Sequence, residues 1–326
     1  MQRSDKIYVA GHRGLAGSAL VRRLRAGGYA SIVGRTHAEL DLMDAQAVRS
    51  FFASERPRHV LVAAAKVGGI LANNQYPADF IHSNIVIQSN VIHEAWRSGV
   101  ERLLFLGSSC IYPRDCPQPI REDYLLTGPL EPTNRPYAIA KIAGVEMCWS
   151  YNRQHGTRFL AVMPTNLFGP GDNYDLETSH VLPALIRKMH EAAQRGDGEV
   201  TVWGTGQPRR EFMYSDDMAD ACVHLMELPD ARFAELTGAE RPPLINVGTG
   251  IDVTVRELAE TVAKIVGFRG RLAFDDSRPD GTPRKLLDVG RLAALAWRSG
   301  VPLRDGIQRA YDDFRTTRSG EATPIS

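Results

Sequence analysis

The chain is poor in cysteine, has no long apolar run, no internal repeat and almost no net charge. Each absence removes a class of function. Four cysteines, Cys110, Cys116, Cys148 and Cys222, are scattered over 326 residues. None forms a C-x-x-C pair and no Cys/His grouping has zinc spacing, so no metal is expected. In a reducing compartment a disulfide is not expected either. No stretch approaches the ~20 apolar residues that span a bilayer. The polar start, residues 1–6, runs directly into a strand-like segment without the apolar core of a signal peptide. The expectation is a cytoplasmic protein with no membrane partner. Thirty-nine basic residues oppose 38 acidic ones, a net charge of +1. No global field draws such a chain to nucleic acid, and any anionic ligand needs a local site.

What is present is an alternation of buried runs and helical patterns. Strand-like runs at 7–10, 31–35, 59–65, 102–108 and 158–164 are separated by helical patterns at 15–26, 44–54, 76–98 and 137–156. Apolar runs without in/out alternation belong to strands covered on both faces. The fold class is therefore α/β, a Rossmann-type doubly wound parallel sheet. After about residue 166 the pattern loosens: helix 180–195, strand 200–204, helix 216–227, strand 244–248, helix 254–266. We expect a dinucleotide-binding domain over 1–165, with a returning segment near 242–250, and a smaller α/β substrate domain over 166–326. The polar tail from about 316 is expected to be loose. The helix at 76–98 carries a wide apolar face that includes Phe80, Ile81, Ile85, Val91 and Trp96, wide enough to meet a second copy in a homodimer.

Strand one runs into Gly11-His12-Arg13-Gly14-Leu15-Ala16-Gly17, a G-x-x-G-x-x-G. Gly11 permits the tight turn, Gly14 lets the backbone approach a pyrophosphate and Gly17 allows close helix packing. The free N–H groups and dipole of the following helix favour the phosphates. NAD sites usually place an acid at the tip of strand two. Here the tip reads Gly34-Arg35-Thr36-His37, and Arg13 and Arg35 suit a 2′-phosphate, which favours NADPH. Glu39 stands close by.

Tyr137 and Lys141 lie four apart on one helix face. A lysine ammonium one turn away should lower the tyrosine pKa and make it an acid/base group. Ser108, at the end of strand four, can donate to a substrate carbonyl. Two residues later stands Cys110, in Gly107-Ser108-Ser109-Cys110-Ile111-Tyr112-Pro113. Cys148 and Cys222 read as small core residues; for Cys110 packing and chemistry both stand.

The stretches AGHRGLAGSA, LFLGSSCIYP, LEPTNRPYAIAKIAG, MPTNLFGPGDN, WGTGQPRREF and PDGTPRKLLD carry a clear resemblance. The chain resembles the extended short-chain dehydrogenase/reductases that act on nucleotide sugars, over nearly its whole length. Within that family it is similar to the members that invert C3 and C5 of a GDP-bound 4-keto-6-deoxyhexose and then reduce C4 with NADPH. The resemblance implies a GDP-sugar substrate and a Ser108/Tyr137/Lys141 group for hydride chemistry. It assigns the proton transfers of inversion to Cys110 and His180; read without it, His180 is simply a solvated helix-start residue. It extends the cofactor site over His12, Leu15 and Ala16, over His37, Asp41 and Leu42, and over Leu106, Gly107 and Ser109. It continues over Pro164, Thr165, Asn166 and Leu167 to His180. Substrate binding falls by resemblance to Asn166, Lys188, Trp203, Arg210 and Asp280. His37 departs from the family, where Arg is frequent. Two other readings compete. A single-step NAD-dependent 4-epimerase or 4,6-dehydratase would show other partners in place of Ser-Ser-Cys. A non-catalytic dinucleotide sensor has no need of the Ser, Tyr and Lys found here.

Overall fold

The first half of the chain alternates as β1 (Ile7–Ala10), α1 (Leu15–Ala26), β2 (Ile32–Val33), α2 (Ala45–Glu55), β3 (His59–Val62), α3 (Ile70–Gln75), α4 (Pro77–Arg97), β4 (Arg102–Leu106), α5 (Arg135–His155) and β5 (Phe159–Pro164). This computed structural model describes residues 1–176, 178–277 and 280–320. Every residue of β1, β3, β4 and β5 is buried. Their continuous apolar runs are buried because helices cover both faces. Val48 and Phe52 of α2, Val91 and Ile92 of α4 and Val145 of α5 fill one side. Ala19, Leu20 and Leu24 of α1 fill the other. Burial of a side chain such as Phe52 or Leu20 contributes about 1.5–3 kcal/mol.

The remainder comprises β6 (Asn166–Phe168), α6 (Val181–Arg195), β7 (Glu199–Trp203), β8 (Arg209–Tyr214), α7 (Ser215–Glu227), α8 (Asp230–Leu236), β9 (Leu244–Val247), β10 (Asp252–Thr254), α9 (Val255–Val266), β11 (Arg271–Asp275), β12 (Arg284–Lys285), α10 (Gly290–Ala294) and α11 (Leu303–Gly320). The main sheet has six strands in the order β2-β1-β3-β4-β5-β9, all parallel. The strand order reverses between β1 and β3, the position where open α/β sheets open a ligand crevice. A smaller sheet is built on β8, flanked by β10 and β12 and joined by β6, while β7 pairs with β11. These strands and α6, α9 and α11 enclose a third apolar core around Phe168, Ile186, Val202 and Phe212.

Two expectations are corrected. Strand two was expected over 31–35, yet its ladder covers Ile32–Val33. A Cβ on Gly34 would lie 2.5 Å from the His12 ring, so the chain leaves the sheet there to pass the glycine loop. The tail from 316 was expected to be loose, yet α11 runs through Gly320. Ile307, Ala310, Tyr311 and Phe314 form its buried stripe, and the Thr316 and Thr317 hydroxyls donate to the carbonyls of Asp312 and Asp313. Residues 321–326 lie outside the described residues.

Glu211 of β8 ties the two sheets together. It has no solvent exposure. One carboxylate oxygen accepts from the N–H groups of Thr249 (2.6 Å) and Gly250 (2.8 Å), the other from Leu287 N–H (3.0 Å). Burial pushes its pKa up and these donors pull it back. In Glu211→Gln the amide NH₂ must face one of these N–H groups, donor against donor. We expect a loss of about 1–3 kcal/mol in chemical denaturation; unchanged stability would show that the carboxylate carries little of the junction.

Candidate active site

The glycine loop has open space in one place and close contact in two. Gly11 has φ +80°, and a Cβ there would lie 2.7 Å from Ala64 N. A Cβ on Gly17 would lie 2.0 Å from Gly11 O, so α1 packs on the loop backbone itself. Gly14 differs. The nearest atom to its imagined Cβ is Gly11 O at 3.6 Å, so the space above it is open. Gly14 caps α1 with no side-chain bond, and the first turn, which includes Leu15 and Ala16, holds no acid. Unclaimed N–H groups at a helix start fit the pyrophosphate of a dinucleotide.

At the end of β2, Arg35 donates to Glu55 at 2.5 Å and to Gly34 O at 3.0 Å, and lies over the Phe51 ring. Its guanidinium is therefore shared. Arg13 is exposed and makes no ion pair among the described residues. Glu39 is tied up locally: its carboxylate accepts from the N–H and hydroxyl of Thr36. Both bonds go to one oxygen, Oε2, which fixes the carboxylate against the turn. His37 is exposed, with Nδ1 3.7 Å from Asp41 Oδ1, and Leu42 O accepts from Asn90.

The end of β4 brings the candidate catalytic groups together. Ser108 caps the short turn Ser109–Ile111, its Oγ accepting from Cys110 N–H at 3.4 Å. Gly107 sits against the Met163 side chain. From α5, which Pro136 starts at its first turn, Tyr137 and Lys141 face the same region. Lys141 donates to Leu106 O at 2.8 Å, and its ammonium is 4.7 Å from the Phe105 ring centre and 5.8 Å from that of Tyr137. The expected lowering of the Tyr137 pKa is overturned. Burial pushes the phenol up, and the neighbouring Cys110 adds to it. The lysine is held to a backbone carbonyl, and burial lowers its own pKa to about 8. Ligand-free, Tyr137 is a protonated donor.

Cys110 is buried in the same place. Burial raises its thiol pKa, opposed by the positive charges of Lys285 and then Lys141. His180 caps α6 through its backbone and is exposed. The enclosing protein, and then Lys285, lower its pKa and favour the neutral imidazole. Lys285 was not singled out from the sequence. A two-residue Arg-Lys strand carries no apolar period, and only the partner strands reveal it.

At the far end, Lys188 lies 4.9 Å from the centre of the half-exposed Trp203 ring. Arg210 donates to Arg209 O and to Asp280 O. Burial lowers the pKa of both cations, and neither forms an ion pair among the described residues. The Asp280 carboxylate accepts from the N–H and hydroxyl of Thr205, so it fixes the turn after β7. Pro164 ends β5. The Thr165 hydroxyl and Asn166 amide both donate to Glu211 O, and Leu167 packs into the core beneath.

Residues 7–247 match the family model described as the NAD dependent epimerase/dehydratase family. The chain is 56% identical over 312 residues to a GDP-L-fucose synthase of Escherichia coli K12, covering 95% of this chain and 96% of that one. It is 57% identical over 310 residues to GDP-L-fucose synthase 1 of Arabidopsis thaliana, covering 95% and 93%. A GDP-D-glycero-L-gluco-heptose synthase of Campylobacter jejuni, solved in the presence of NADPH, superposes with a TM-score of 0.89 at 38% identity, covering 97% of this chain and 99% of that one.

The open space at Gly14 generates a prediction. Gly14→Ala should cost the fold about 1 kcal/mol or less, because its φ of −74° suits alanine. Affinity for NADPH, read by fluorescence titration, should fall at least about tenfold. Unchanged affinity would remove the glycine loop from the cofactor site.

Proposed function

Because the chain belongs to the NAD dependent epimerase/dehydratase family, we infer that it converts GDP-4-keto-6-deoxy-D-mannose to GDP-L-fucose, inverting C3 and C5 and reducing C4 with NADPH. The observation that carries this reading is the joint presence of Ser108, Cys110, Tyr137 and Lys141 at the end of β4, with likeness to GDP-L-fucose synthases over 95% of the chain.

The chemistry needs only one carbonyl. C3 and C5 both lie α to C4, so loss of either proton places the electron pair on the C4 oxygen as an enolate. Donors aimed at that oxygen stabilise the enolate and the developing alkoxide alike. We assign that donation to Tyr137 and Ser108. In the ligand-free site burial keeps Tyr137 protonated, the state in which a phenol can donate to that oxygen. Inversion also needs a proton removed from one face and returned to the other, which we assign to Cys110 and His180. NADPH, when bound, supplies the hydride to C4. Gly11 to Gly17 would hold its pyrophosphate, Arg13 and Arg35 its 2′-phosphate, and Lys141 its nicotinamide ribose. Lys188 and Arg210 would take the substrate diphosphate and Trp203 would pack against the substrate.

We further infer a homodimer joined through α4 and α5, because these packed helices expose Ile85 and Ile139. No helix among the described residues is long and apolar enough to cross a membrane. The four free thiols suit a reducing compartment, and we read the enzyme as cytoplasmic.

Incubation with NADPH and GDP-4-keto-6-deoxymannose should consume the cofactor and yield GDP-L-fucose, identified by NMR. Tyr137→Phe should slow NADPH oxidation by roughly 10²–10⁴-fold while cofactor binding survives. A folded wild type that leaves NADPH untouched would contradict the activity, and a near-normal rate in Tyr137→Phe would contradict the donor.

A further inference from the structure

We propose that Lys285 is a positioning residue for proton transfer at Cys110, its ammonium held beside the thiol to stabilise the thiolate. The inference rests on the reading above for what Cys110 does. β12 carries Lys285 and is fixed on both sides. On one side it pairs in parallel with β8, Lys285 in register with Arg210. On the other, Ile120 N–H donates to Leu286 O at 2.7 Å, Leu286 N–H to Gln118 Oε1 at 2.9 Å, and Ile120 bridges to Leu287. Six residues separate 118–120 from the Ser109–Ile111 turn that carries Cys110, and Leu287 N–H is held by Glu211. Lys285 is half-buried and, among the described residues, has no hydrogen-bond or ion-pair partner for its ammonium. A half-buried cation with no carboxylate in direct contact is expensive to keep unless it acts on something nearby.

The groups around it identify what it acts on. Lys285 is faced by Cys110 and Cys116 from one side, Arg210 from β8, Glu131 from the loop before α5, and His180 at the start of α6. Cys110 is faced by Lys285, by Lys141 and Tyr137 from α5, and by Ser108 within its own turn. Of the two lysines, Lys285 exerts the larger pull on the thiol. Lys141 is already bonded to Leu106 O. The proton balance makes the pull useful in either direction. If Cys110 takes the proton, the thiolate gains H⁺ from C3 or C5 and the C–H pair moves to the C4 oxygen. If Cys110 gives the proton, S–H loses H⁺ to the carbon and the thiolate is left. The thiolate appears in both cases, and a neighbouring cation lowers its cost.

The test is a pH titration of the Cys110 thiolate in the full chain without substrate, in a Cys116→Ser background. Thiolate ultraviolet absorbance is measured against a Cys110→Ser control, and alkylation of Cys110 by iodoacetamide is followed by mass spectrometry. Lys285→Met should raise the midpoint by about one pH unit or more, and Lys285→Arg should restore it to near the wild-type value. Lys285→Gln is titrated in the same way should the methionine variant not fold. An unchanged midpoint in the neutral variants, accompanied by a raised KM for the GDP-sugar, would overturn the proposal and make Lys285 a diphosphate ligand. Equal midpoints for Met and Arg would also overturn it. A shifted midpoint in an enzyme that fails to turn over the GDP-keto sugar would leave this inference standing and contradict the activity, so the two fail separately.

Discussion

The buried carboxylate of Glu211 is the contact on which the geometry of the cleft depends. It has no solvent exposure, so its charge is tolerable only because backbone N–H groups from Thr249, Gly250 and Leu287 converge on it. Its carbonyl oxygen takes the Thr165 hydroxyl and the Asn166 amide as well. One residue therefore joins the exit of β5, the loop after β9 and the exit of β12. Arg210 is its chain neighbour, and Lys285 lies two residues from Leu287. Lys285 of the smaller sheet is thereby kept on the Cys110 side of the cleft.

That arrangement explains the protonation pattern. Enclosure disfavours charge of either sign. It pushes Tyr137 and Cys110 up and pulls Lys141 and His180 down. The ligand-free cleft thus favours the neutral phenol, thiol and imidazole, with Lys285 and Lys141 working against burial at the thiol. Such a site is suited to moving protons about one substrate carbonyl. Donors fixed before the reaction need no rearrangement as charge builds on the C4 oxygen.

Much of this was legible in the sequence. The buried strands are continuous apolar runs, and the glycine loop stands between β1 and α1 as its spacing requires. Tyr137 and Lys141 share a helix face because they are four apart. What spacing does not reveal is where a flexible ammonium goes. Lys141 reaches Leu106 O and the Phe105 face, and burial then governs the phenol. Nor does local pattern reveal strands that exist only through their partners. β8 opens on two arginines and β12 is an Arg-Lys pair; both are ordered by pairing with distant segments. Glu211 and Lys285 were missed for that reason, since a charged residue in a short polar stretch reads as surface until the fold covers it.

In the proposed function one carbonyl serves two separable steps, with the inversions assigned to Cys110. Deuterium wash-in measures this most directly. In D₂O the wild type should place deuterium at C3 and C5 of the product. Cys110→Ser keeps nearly the same volume, so it should still oxidise NADPH but exchange both positions far more slowly, delivering hydride to uninverted keto sugar and forming a different GDP-6-deoxyhexose. Exchange at the wild-type rate in Cys110→Ser would contradict the account, leaving the thiol as packing and the base elsewhere.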